Sequence, residues 1–145
     1  MLTALIVLGV VAFLAIDGYV LYRVFAARRS ADRYGSFPVP GDATVSLAPG
    51  RLKLTYQESY KAPRSGDSIR FGVPSALRVD VVSPAGESLE IVGPGFRGMG
   101  ASLSTGSGWS RALIGTVEIA QPGEHTVSAR MDLDDQVEPR VLLGT

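Results

Sequence analysis

Two hydrophobic patterns divide this chain. From Leu2 to Ile16 every residue is apolar or small, Gly18 to Tyr22 extends the run, and Asp17 is the only charge inside it. At 1.5 Å rise per residue, about 20 such residues cover the roughly 30 Å hydrocarbon core of a bilayer. The run therefore predicts a transmembrane helix. From Ala43 the period becomes two. Val45 and Leu47 alternate with Thr44 and Ser46, and Leu52, Leu54 and Tyr56 with Lys53 and Thr55. Leu77, Val79 and Val81 alternate with Arg78 and Asp80, and Leu89 and Ile91 flank Glu90. Leu113, Val117 and Ile119 read as one face of a strand, Val127, Ala129 and Met131 as another, and Val141 and Leu143 close the chain. Alternation of this kind marks strands with one buried and one wet face. Turn signals separate them at Pro49-Gly50, Pro84-Ala85-Gly86, Pro122-Gly123 and the Asp132 to Asp135 cluster. Seven or eight short strands without a helical stretch predict an all-β sandwich, with a small barrel as the alternative.

The expected organisation is a transmembrane anchor over 1–27, a basic flank and Pro-rich linker over 28–42, and a β-sandwich domain over 43–145. In the linker, Ser36-Phe37-Pro38-Val39-Pro40-Gly41 carries two prolines one residue apart, which favours an extended spacer. Arg23, Arg28, Arg29 and Arg33 follow the apolar run and no Lys or Arg precedes it. Basic residues bias their end of a span toward the cytoplasm, so the β-domain is expected there, with an extracytoplasmic domain as the alternative. A cleaved signal peptide would have a basic start and a shorter apolar centre. Asp17 is a candidate contact with a partner helix, because an ionisable residue in a span is costly. Its position near one end also lets the carboxylate reach the interface. Arg23 stands six residues on, outside the i+3 and i+4 spacings that pair side chains on one helix face.

Composition narrows the function classes. Net charge is zero, with 12 arginines against two lysines. From Ser36 onward ten basic residues face twelve acidic ones, which gives no electrostatic footprint for nucleic acid. The arginines after the apolar run are explained by the adjacent membrane. The absence of cysteine removes disulfides, thiolate nucleophiles and cysteine–zinc clusters.

The stretch Gly93-Pro94-Gly95-Phe96-Arg97-Gly98 matches GxGxxG, but no helical pattern follows it, as a dinucleotide fold requires. The wider Gly93–Trp109 connection is the candidate binding loop, with Phe96, Arg97, Met99 and Trp109 as its contact residues. His125 is the only histidine, and no nucleophile or second histidine joins it in a recognisable motif. Asp132, Asp134, Asp135 and Glu138 lack the glycine and length of an EF-hand loop and read as a solvated acidic turn. No cofactor or metal is expected.

Pro122-Gly123-Glu124-His125-Thr126-Val127 resembles the PG-x-Y-x-V corner of immunoglobulin-like and fibronectin-like sandwiches, with His125 standing where the corner tyrosine would be. The whole layout also resembles uncharacterised actinobacterial membrane-anchored β-sandwich proteins. The first resemblance implies an immunoglobulin-like sandwich, and the second carries no activity to transfer. The resulting expectation is a non-enzymatic single-pass membrane protein. Residues 2–22 would contact membrane lipid, and the β-domain would bind a protein partner or support a membrane complex. The alternative is a ligand-sensing or carbohydrate-binding module that uses the Gly93–Trp109 loop.

Overall fold

The computed structural model describes residues 15–19, 22–23, 31–59, 72–93, 109–132 and 137–145. The chain forms two compact units, Met1–Ser30 and Ala31–Thr145. In the first, residues 15–19 and 22–23 are helical. Among the described residues no helix is long and apolar enough to cross a membrane.

The second unit is built from strands. They are β1 (Gly35–Pro38), β2 (Gly41–Leu47), β3 (Gly50–Ser59), β4 (Arg78–Val82), β5 (Ser88–Leu89), β6 (Trp109–Ile119), β7 (Gly123–Arg130) and β8 (Val137–Gly144). Two four-stranded antiparallel sheets result, ordered β1-β8-β3-β6 and β2-β7-β4-β5. Inward side chains of both sheets form one core, in which Leu54, Val81, Val117, Val127, Ala129, Val141 and Leu143 are fully buried. The sandwich read from the alternation is therefore present. Register follows the same alternation. A one-residue slip of β3 would exchange Leu52, Leu54 and Tyr56 for Lys53, Thr55 and Gln57, at about 2 kcal/mol per buried apolar side chain.

The strand order corrects the immunoglobulin-like expectation. In that fold the last two strands are neighbours in one sheet. Here β7 and β8 lie in different sheets. The pairings β1·β8, β2·β7, β3·β6 and β4·β5 are those of a long hairpin rolled into two sheets, the jelly-roll arrangement.

Two local readings also change. The Pro-rich segment read as a spacer enters the sandwich. β1 pairs with β8 from Gly35↔Leu143 to Pro38↔Arg140, and Phe37 and Val39 are buried at 4% and 3% exposure. Proline fits there because β1 is an edge strand, whose outward side needs no donor. In β6, the register against β3 shifts between Leu54 and Thr55, with Leu54 opposite Gly115 and Thr55 opposite Leu113. The extra residue, Ile114, moves everything upstream to the other face. Leu113 is 37% exposed while Val117 and Ile119 are buried.

The sequence Thr44-Val45-Ser46-Leu47-Ala48-Pro49-Gly50 is echoed by Thr116-Val117-Glu118-Ile119-Ala120-Gln121-Pro122-Gly123, a strand–Pro-Gly–strand device used twice, and both copies have a definite role. Leu47 to Gly50 carries the chain from one sheet to the other, and Ile119 to Gly123 carries it back. The two corners pair with each other, Leu47 opposite Gly123 and Gly50 opposite Ile119. Exchanging the corners leaves these pairings unchanged, a local pseudo-two-fold that the bulge at Ile114 interrupts. Gly50 and Gly123 both have positive φ, 145° and 138°.

Alanine at either glycine is expected to cost about 1–3 kcal/mol from backbone strain. Gly123→Ala is expected to cost more, because its Cβ would lie 2.9 Å from Pro84 Cγ, whereas a Cβ at Gly50 meets nothing within 4 Å. Urea denaturation of the two variants checks this ranking, and equal losses would contradict it.

Candidate functional site

The β1-β8-β3-β6 sheet turns one face to the core and one outward. Strand alternation places Lys53, Thr55, Gln57 and Ser59 of β3 on the outward face. Trp109, Arg111 and Leu113 of β6 and Arg140 and Leu142 of β8 join them. Register aligns these residues in rows. Gln57 lies opposite Arg111 on one side and Arg140 on the other, and Thr55 lies between Leu113 and Leu142. Trp109 stands opposite Ser59. Arg111 Nε donates to Gln57 Oε1 at 2.6 Å, which holds the guanidinium across the sheet. Leu142 is buried outside the core cluster and Gln57 is 9% exposed, so the outward face has a packed centre. Arg140, Lys53 and part of Leu113 remain accessible around it. Lys53 Nζ donates to the Thr145 main-chain oxygen at 3.1 Å. Arg51 and Glu118 pair at 3.8 Å with both side chains over two-thirds exposed, a solvent-screened contact that adds little stability. Of the charges that alternation places on this face, Arg51, Lys53, Arg111 and Arg140 stand against Glu118 and Glu138.

The sequence-derived candidates fall in several places. Trp109 is the first residue of β6 and half-buried, so it belongs to the sheet face rather than to a loop. Phe96, Arg97 and Met99 lie outside the described residues, as do Arg28, Arg29, Asp134 and Asp135. Asp17 is exposed on the helical residues 15–19. Arg23 lies 6.0 Å from the Tyr19 ring centre, and Arg33 lies 5.9 Å from that of Tyr34. Asp132 and Glu138 are exposed, and Glu138 has φ 49° at the start of β8.

His125 is 1% exposed and lines the core. Its Nδ1 lies 3.0 Å from the Gly123 carbonyl oxygen. A carbonyl only accepts, so Nδ1 carries the proton. The bond returns two residues upstream to the Pro-Gly corner, so His125 ties down the turn that delivers β7. By the corner exchange His125 corresponds to Leu52, which is equally buried at 1%.

Sequence reading missed two groupings. Arg111, Gln57 and Arg140 come together only through strand order and the bulge at Ile114, because uninterrupted alternation in β6 would set Arg111 on the buried face of Val117 and Ile119. Tyr56 and Glu58 are two apart on one strand, a period-two spacing visible in sequence, yet their polarity difference masked the pairing. Tyr56 Oη donates to Glu58 Oε2 at 2.9 Å although the ring is 1% exposed. Burial, then the hydrogen bond to Glu58 and its negative charge, push the Tyr56 phenol well above its ordinary range.

No family model, curated protein or solved structure matches this chain. The geometry above carries the functional argument.

The raised Tyr56 phenol has a consequence for stability. Above the ordinary tyrosine value of about 10, the unfolded chain releases the phenolic proton while the folded chain keeps it. The folded state then holds more protons, so this stabilisation is complete below about pH 10 and declines as pH rises beyond it. Urea midpoints at about pH 8 and about pH 11 should fall less for Tyr56→Phe than for the unsubstituted chain. An equal fall in both would contradict the assignment.

Proposed function

We propose that this chain is a non-enzymatic single-pass membrane protein whose β-sandwich binds an acidic protein partner through the outward face of the β1-β8-β3-β6 sheet. The anchor rests on the apolar run from Leu2 to Tyr22 and on the residues at its end. Tyr19 and Tyr22 are exposed at 61% and 69%, and Arg23 stands beside the Tyr19 ring. Aromatic and basic side chains at the end of an apolar helix suit the membrane–water interface. Arginines after the run support a cytoplasmic sandwich.

The observation that carries the partner reading is the Arg111–Gln57–Arg140 row beside Trp109. Arginine and tryptophan are the side chains that dominate protein interfaces, and here they share one sheet face. An acidic partner surface would complement Arg111, Arg140 and Lys53. A ligand-binding module is the second reading, favoured by an aromatic ring standing next to the Arg111–Gln57 polar pair, an arrangement that suits a sugar.

A photo-crosslinking residue at Leu113 or Arg140, in the full chain within membranes of its source cell, is expected to trap a discrete protein adduct. The same residue at Asp80 on β4, in the other sheet and separated from β2 by β7, is expected to trap none. Arg111→Glu combined with Arg140→Glu should abolish the Leu113 adduct. Equal adducts from both sheets, or none from Leu113 and Arg140, would count against the proposal.

A further inference from the structure

A sandwich of two open sheets has four edges, and three of them are blunted. β1 has four residues and contains Pro38. β5 has only two residues, and the part of β4 it leaves uncovered carries Arg78 and Asp80. The outer edge of β6 is closed at Thr116, whose N–H and C=O both bond to Val92 at 2.9 Å. Gly115 permits this approach, since a Cβ there would lie 2.7 Å from Ile91 Cγ2 and Val92 O. The bulge at Ile114 then bends β6.

β2 has no proline, bulge or bridging segment, and it carries a single charge. Its seven residues, Gly41-Asp42-Ala43-Thr44-Val45-Ser46-Leu47, pair with β7 without a register shift. They include no proline, no lysine and no arginine, and Asp42 is their only charge. Among the described residues no backbone group pairs with the outer edge of β2. Such an edge leaves a row of N–H and C=O groups ready to pair with another strand.

We propose that β2 is a self-association edge, pairing antiparallel with β2 of a second copy of this chain so that two four-stranded sheets become one of eight. The sequence of β2 is complementary to itself. With the two-fold centred on Thr44, Asp42 faces Ser46 of the other copy, Ala43 faces Val45 and Thr44 faces Thr44. With the two-fold centred on Val45, Asp42 faces Ala48. Neither register sets one acid against another, and the first forms a Thr–Thr pair, a favourable cross-strand combination. Each exposed outer residue, Asp42, Thr44 and Ser46, is small enough to stand beside its counterpart. This inference goes beyond partner binding by the other sheet. It draws on the anchor reading in one respect, that tethering to a common membrane raises the effective concentration of copies.

The chain has no cysteine, so one introduced thiol reports only contacts between copies. The full chain carrying Thr44→Cys, in phosphatidylcholine vesicles, is treated with a short bismaleimide. A covalent dimer is expected from Thr44→Cys and not from Thr126→Cys, which places the thiol on the inner strand β7. Adding Asp42→Lys and Ser46→Lys sets like charges across the edge and is expected to reduce the Thr44→Cys dimer at least tenfold, with the circular dichroism spectrum unchanged. If the double-lysine chain does not fold, the comparison of positions 44 and 126 decides alone. Absence of the dimer, equal dimer from both positions, or a dimer that survives in a folded double-lysine chain overturns the proposal. Flotation of the same vesicles reads the anchor separately, so failure to float contradicts the anchor and leaves the edge result standing.

Discussion

The rest of the sandwich depends on the pairing of its two Pro-Gly corners. A chain that alternates between sheets must cross the core boundary several times, and each crossing breaks the period-two pattern that holds a strand in place. Here two of these crossings, β2 to β3 and β6 to β7, lie against each other, Leu47 on Gly123 and Gly50 on Ile119. Each corner therefore fixes the register of the other. From this junction β2·β7 and β3·β6 run outward in matched steps. A glycine at positive φ is needed at both corners because the chain must leave one sheet and enter the next within two or three residues. His125 reinforces the second corner with a bond from Nδ1 to the Gly123 carbonyl, at a core position that its counterpart, Leu52, fills with hydrocarbon alone.

Much of this was legible in the sequence. The alternation through β2, β3, β4, β7 and β8 gave the correct inward residues, and the echo of the two Pro-Gly segments marked the corners. What alternation does not contain is which strand lies beside which. The immunoglobulin-like expectation came from one corner motif, and that motif is compatible with any sandwich in which a strand turns sharply between sheets. The distinction lies in long-range pairing, β8 with β1 and β3 rather than with β7. Local misreadings have local causes. Two prolines outweighed the Phe37–Val39 alternation, although an edge strand tolerates proline. The one-residue bulge at Ile114 reversed the face of Leu113 while leaving the apolar pattern of β6 looking continuous.

The site was less legible than the fold, for the same reason. Trp109 was singled out, but as part of a glycine-rich connection, whereas it opens β6 and stands on a sheet face. Arg111, Gln57 and Arg140 come from three separate stretches of sequence and meet only because β3 is central between β6 and β8. The two sheets differ in what they present. One offers a cationic face with a tryptophan at its margin. The other ends in β2, whose backbone edge is unpaired among the described residues and carries one charge. Face and edge point away from the core in different directions.

The central claim, that two interlocked corners set a rolled-hairpin strand order, is tested most directly by interstrand nuclear Overhauser effects in the isotope-labelled chain. Contacts are expected between Leu47 and Gly123, between Gly50 and Ile119, and between Phe37 and Val141. Contacts joining β7 to β8 along one sheet, in place of the Phe37–Val141 contact, would contradict the account.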